Sequence, residues 1–184
     1  MGNPLRVRRP IAELAAKGQV IEIAEKIGNF ERLAGIVEAD LATLDPDKIP
    51  HDWRDSMVTG WLEFGFADAQ KQVVSLVGEL AVTLDAVCQR CLEPFRLSLA
   101  TGLRLLPTTV EQGVSAGNDF EPWELEDERV CPAEIVEEVL IMAMPLSAMH
   151  ENSAACKGYE PADEEAQQTT RPFAALKAQL DQDT

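Results

Sequence analysis

The most regular alternation of apolar and polar positions lies mid-chain. Leu80, Val82, Leu84, Ala86 and Cys88 fall on one side, and Glu79, Ala81, Thr83, Asp85 and Val87 on the other. A period of two predicts a strand with one buried face. This strand is expected over 73–88, with Gly78 as a bulge. A second alternating run follows: Phe95, Leu97, Leu99, Leu103 and Leu105 oppose Arg96, Ser98, Ala100 and Arg104, with Pro94 just ahead of the strand. An earlier strand is expected over 56–66 around Val58, Trp61 and Phe64, with polar residues 67–72 as the turn between strands. Residues 19–27 alternate more loosely and are read as a further strand.

Helical spacing appears at three places. Residues 10–18 place Ile11, Leu14 and Ala15 on one face, with Pro10 in the first turn and Gly18 as the stop. Phe30 to Val37 carries Leu33, Ile36 and Val37. The best helix runs from Pro132 to Met144: Ile135, Val136, Val139, Leu140 and Ala143 form the buried stripe, Glu134, Glu137 and Glu138 face solvent, and Pro145 ends it. Residues 38–52 read as a loop broken at Asp45-Pro46-Asp47 and Ile49-Pro50-His51. The expected fold is therefore α+β: an antiparallel β-sheet meander over roughly 54–106, one main packed helix and peripheral short helices. Residues 1–156 are expected to form a single domain with an acidic loop over 107–130. Residues 157–184 then form a flexible linker and a short amphipathic segment carrying Phe173, Leu176 and Leu180.

Charge narrows the function classes. The 184 residues carry a net charge of −16, which argues against broad binding to phosphate backbones, since these need Lys and Arg. It suits a basic partner met through complementary fields. The acidic run of 119–128 fits a solvated loop, or a docking strip for a basic protein. Arg6, Arg8 and Arg9 form the dense basic cluster and read as a solvated basic terminus. No apolar run reaches membrane-spanning length, and no secretory core follows Arg9. A cytoplasmic protein is expected, without membrane or DNA contact. Four cysteines in a reducing compartment then point to metal or thiol chemistry rather than to structural disulfides.

Cys88-Gln89-Arg90-Cys91 is the chief candidate for chemistry. Two thiols three positions apart can reach one point, and His150 with Cys156 could complete a tetrahedral zinc site. Leu92 stands where such knuckles often have glycine. The rival readings are buried inert thiols and a redox pair. A redox pair usually sits at a helix N-terminus, and here Cys88 ends a strand. Cys131 reads as a small buried hydrophobe, His51 as solvated, and Trp53, Trp61 and Trp123 as core or loop anchors. No nucleophile elbow, phosphate loop or dinucleotide fingerprint occurs.

The run Leu84-Asp85-Ala86-Val87-Cys88-Gln89-Arg90-Cys91-Leu92-Glu93-Pro94-Phe95 resembles the signature of the YceD-type large ribosomal RNA subunit accumulation proteins. Ile135 to Pro145, followed by His150 and Cys156, is similar to that family's acidic helix, Pro, His and Cys block. Pro172-Phe173-Ala174-Ala175-Leu176 is similar to its C-terminal element, with Thr170-Arg171 where the family usually has Asn. The resemblance spans residues 10–180. It implies a non-enzymatic role in synthesis, processing or stability of large-subunit (23S) ribosomal RNA in the bacterial cytoplasm, with no established catalytic residue. Its partner would be a large-subunit ribosomal precursor or a basic ribosomal protein. The alternatives are a direct RNA-binding protein, which needs Arg6, Arg8, Arg9, Arg90, Arg96 and Arg104 on one face, and a Cys-x-x-Cys thiol oxidoreductase.

Overall fold

The computed structural model describes residues 3–108, 119–125, 127–152 and 155–156. The expected linker over 157–171 and the amphipathic segment from Phe173 to Leu180 lie outside them. Along the chain come strand β1 (Arg9–Pro10), helix α1 (Ile11–Ala16), β2 (Val20–Lys26), α2 (Glu31–Leu41), β3 (Met57–Phe66), β4 (Val74–Val87), β5 (Pro94–Thr108), β6 (Glu121–Glu124), β7 (Arg129–Val130) and α3 (Pro132–Ala143).

The α+β expectation holds. One five-stranded sheet has the order β2-β3-β4-β5-β6, and its first four strands are successive antiparallel neighbours. β6 adds to β5 in parallel, so the sheet is mixed at one edge. Within the stretch expected to be an acidic loop, Glu121–Glu124 therefore pair as a strand. β1 and β7 form a separate two-stranded ribbon that holds the N-terminal segment beside the start of α3.

The inner face carries Val58, Leu62 and Phe64 from β3, Leu76, Leu80, Val82 and Leu84 from β4, and Leu99 and Leu103 from β5, all buried. The helices cover it in order, α1 on β3, α2 on β4 and α3 on β5. The ends of α1 and α3 have local causes. Gly18 takes φ +56 after α1, a left-handed conformation that glycine adopts without a Cβ clash. Met144 is extended ahead of Pro145, as the residue before a proline must be.

Several details depart from the sequence reading. Trp61 sits three residues from both Val58 and Phe64, an odd step that turns it to the outer face; Leu62 takes the inner place. Gly78 is no bulge, because pairing to β3 and β5 runs through it without a break. A Cβ there would lie 2.5 Å from the Trp61 carbonyl oxygen and 2.9 Å from Leu62 Cδ2, so close strand approach explains the glycine. α2 continues through residues 38–41, since nothing in Glu38-Ala39-Asp40-Leu41 breaks it. Its buried stripe is Leu33, Ala34, Val37 and Leu41, and Ile36 is exposed.

The largest correction concerns Glu137. It is not solvated but only 8% exposed. Its carboxylate accepts the backbone N–H of Arg32 at 2.6 Å and of Leu33 at 3.0 Å. These are among the unpaired donors of the first turn of α2, whose N-cap, Phe30, offers no side-chain acceptor. A residue of α3 thus caps α2 across the core, where a negative charge also meets the positive end of the helix dipole. Replacing Glu137 with Ala should lower unfolding free energy by about 1–3 kcal/mol, the cost of stranding buried donors. Glu134→Ala, at an exposed position, should cost clearly less in the same urea titration. Equal losses would contradict the capping role.

Candidate metal centre

The hairpin of β4 and β5 turns through residues 88–93, and this corner carries both thiols of the Cys-x-x-Cys. The turn is closed by Cys88 N–H to the Glu93 carbonyl at 3.0 Å and Leu92 N–H to the Cys88 carbonyl at 2.8 Å. Leu92 takes φ +58 with its side chain 65% exposed. The knuckle thus keeps the left-handed residue that glycine often supplies, at a cost of about 1–2 kcal/mol for a side chain there.

Pro145 turns the chain away from α3 and back to this corner. Gln89 N–H donates to the Ala148 carbonyl at 2.8 Å, which brings His150 and Cys156 against the thiols. The Phe95 ring packs on the imidazole with centroids 4.8 Å apart. All four residues expected from the sequence meet: Cys88 Sγ lies 3.9 Å from Cys156 Sγ. His150 Nδ1 lies 3.4 Å from Cys156 Sγ and 3.7 Å from Cys91 Sγ. The four ligand atoms lie within 4.8 Å of one another and could hold a metal ion. A tetrahedral zinc with bonds of about 2.3 Å to sulfur and about 2.0 Å to nitrogen has edges of about 3.8 and 3.5 Å. The cluster is near that size.

The family resemblance is borne out by comparison with known proteins. The family model described as "Large ribosomal RNA subunit accumulation protein YceD" matches residues 76–180. A curated protein of that name from Haemophilus influenzae is 33% identical over 129 residues, covering 66% of this chain and 72% of the relative. No solved structure matches the chain significantly. The chain belongs to the YceD family.

The matched YceD region begins within β4 and contains the whole four-residue cluster. Arg90, which the sequence offers as able to lower a thiol pKa, stands beside the cluster, and one buried group of β4, Asp85, escaped the sequence reading. Arg90 directs its guanidinium to Cys156 Sγ at 4.0 Å and to Met149 Sδ at 3.8 Å. Asp85, placed by alternation on the outer face, is only 5% exposed. One of its carboxylate oxygens is buried without a hydrogen bond, and the other lies 3.8 Å from Arg96 Nε. Burial pushes its pKa up, Arg96 opposes this and Asp52 adds to it. An aspartate within a strand is poorly suited to that backbone, which was the one sequence signal available. Of the remaining candidates, Cys131 is buried as expected and His51 is exposed; Trp53 is buried, and Trp61 and Trp123 are half-buried.

The thiols influence one another. Burial pushes the Cys88 thiol up, but the N–H groups of Cys91, His150 and Arg90, with the His150 side chain, together bring it down from 9.0 to about 5. Burial pushes Cys156 up, and hydrogen bonds with Cys91 and Cys88 push it further. In metal-free protein the Cys88 thiolate therefore stabilises the fold fully above pH 9.0, and this contribution fades as pH falls toward about 5. The Cys156 shift has the opposite sign and acts above its ordinary value of 9.0. Chelator-treated protein should lose urea resistance steadily between pH about 9 and about 5. Cys88→Ala should flatten that slope, and an unaltered slope would show that this thiolate does not contribute.

Proposed function

We propose that this YceD-family protein is a non-enzymatic, cytoplasmic factor that supports synthesis, processing or stability of large-subunit (23S) ribosomal RNA through ribosome assembly. Its partner is a large-subunit precursor or, more specifically, a basic ribosomal protein held on an acidic surface. The observation that carries this reading is the family match, whose description names accumulation of the large ribosomal RNA subunit. The net charge of −16 directs it toward a basic protein rather than toward bare RNA.

Several of the arginines needed for direct RNA binding are engaged within the chain. Arg6 donates to the Asn29 carbonyl at 2.7 Å, Arg8 pairs with Glu134 at 2.6 Å, and Arg104 lies over the Phe120 ring. Arg8 and Glu134 are both largely exposed, so their pair is weak and serves here to neutralise a cation. A thiol oxidoreductase is disfavoured by burial. Cys88 has the lowered pKa that such chemistry uses, but it is fully buried at a strand corner. No helix among the described residues is long and apolar enough to cross a membrane.

The four-residue cluster is best read as a structural zinc centre with Cys88, Cys91, His150 and Cys156 as ligands. Three thiolates and a neutral imidazole around a divalent ion leave one negative charge. The backbone N–H groups at Cys88 and the nearby Arg90 guanidinium offset it. Such an ion would tie the hairpin corner to the chain after α3, and no open coordination position remains for catalysis. Protein purified without chelator should carry close to one zinc per chain by plasma mass spectrometry. Cys91→Ser should lose most of it, whereas Cys131→Ser should not. Equal metal in both variants would reject the assignment.

In a low-salt lysate gradient the protein should co-sediment with large-subunit precursors and move to the top as salt rises. Sedimentation that ignores salt would argue against an electrostatic hold. A protein always at the top would exclude stable particle association and leave a carrier of free ribosomal protein.

A further inference from the structure

β5 is fifteen residues long, but β6 pairs only with its last part, Leu105 to Thr108. Among the described residues, the edge of β5 over 94–104 that faces away from β4 has no partner strand. A groove of about 710 Å³ lies at its 101–104 end, and five consecutive β5 residues, 101–105, line that groove. Consecutive residues point to opposite faces of a strand, and Val77 to Glu79 of β4 also line the groove, so it opens to both faces of the sheet beside the unpaired part of β5.

The two sides of this edge differ in chemistry. On the inner side the groove is apolar: Leu103 with Ile135, Val139 and Met142 of α3. Met142, near the end of α3, is 76% exposed. On the outer side Trp61, Glu79 and Gly102 form one cross-strand row. Gly102 has no side chain, so Glu79 and Trp61 can be reached from the edge. Asp119, Glu121 and Glu138 also line it; Glu138 pairs with Arg32 at 2.6 Å, so Glu79, Asp119 and Glu121 are the three carboxylates set against the one lining guanidinium, that of Arg104.

We propose that the free edge of β5 takes up an extended segment of a basic partner as an added strand, in line with β6. Main-chain hydrogen bonds to β5 supply a sequence-independent hold, and side chains alternate between the two chemistries. Apolar residues enter under α3, and Lys or Arg residues meet Glu79 and the acidic rim. The segment recognised therefore has a period of two, apolar then basic. This inference rests on the basic-protein reading above and names the surface that would carry it.

The test uses the full-length protein and a fluorescent peptide that alternates valine with lysine, capped at both ends. Its binding is followed by anisotropy and by hydrogen exchange of the protein. The peptide should bind, protect amides within 94–104 and weaken as salt rises. A peptide N-methylated at alternate residues on its pairing edge should bind roughly ten-fold more weakly or worse, since several hydrogen bonds are removed. Glu79→Lys and Met142→Arg, both at exposed positions, should each weaken binding while leaving the unfolding midpoint nearly unchanged.

Equal binding of the N-methylated peptide, or protection that avoids 94–104, would overturn strand addition. Tighter binding of a helical peptide of the same composition would overturn it in favour of a helix in the groove. If no basic peptide binds while the protein still sediments with large-subunit precursors, this surface is wrong and the assembly reading stands. If the peptide binds but sedimentation fails, the groove stands and the assembly reading falls.

Discussion

The unbroken register between β4 and β5 governs the molecule. It runs from Leu76 opposite Leu105 to Val87 opposite Pro94 without a bulge. Because side chains alternate strictly, a slip of one residue would exchange the faces of one strand relative to the other. Either Leu80, Val82 and Leu84 of β4 or Leu99 and Leu103 of β5 would turn to solvent, and the helices would lose part of the surface on which they pack. The same register fixes where the hairpin turns, and so where Cys88 and Cys91 stand. The core and the Cys-x-x-Cys corner are two results of one pairing, the first along its length and the second at its tip.

Charged groups at partly or fully buried positions lock the layers together. Glu137 of α3 holds the start of α2. At the other end of α2, Asp40 accepts the Val87 N–H at 2.8 Å, just where β4 has run beyond the end of β3 and lacks a partner on that side. α2 is therefore tied at its start to a helix and at its end to the sheet. Hydrophobic contact alone would tolerate sliding of α2 over the inner face, whereas two directional contacts at opposite ends define one position. The exposed Lys48–Glu93 pair lies across the same end of the sheet and adds little by comparison.

Much of this was legible in the sequence because it depends on period. The β4 and β5 faces, the stripe of α3 and the four residues of the cluster could all be read from spacing. What was missed depends on long-range geometry. Glu137 looks like any solvated glutamate of an amphipathic helix until the bare N-terminus of α2 is placed beside it. Glu121–Glu124 lacks the apolar alternation that announces a strand, because it is an edge strand paired on one side. Asp85 obeyed the alternation but not its usual meaning, since the outer face is covered near the hairpin tip. Trp61 was misplaced by counting in threes along a strand. Arg90 lies inside the motif, yet nothing in the motif says that its side chain turns back to the sulfur of Cys156.

The separation of the two halves of the cluster has a consequence for synthesis. Cys91 precedes His150 by 59 positions, and Cys88 precedes Cys156 by 68. At about 5–20 residues per second, the first two thiols leave the ribosome some seconds before their partners exist. During that interval the hairpin can form, since its contacts are local, but its tip has neither the Phe95-backed imidazole nor the third cysteine to cover it. The nascent chain thus presents a two-thiol half-site to the cell before the finished molecule encloses it. Quality control of this fold would be most sensitive to oxidant and to metal supply in that window, while the chain is still attached to a ribosome.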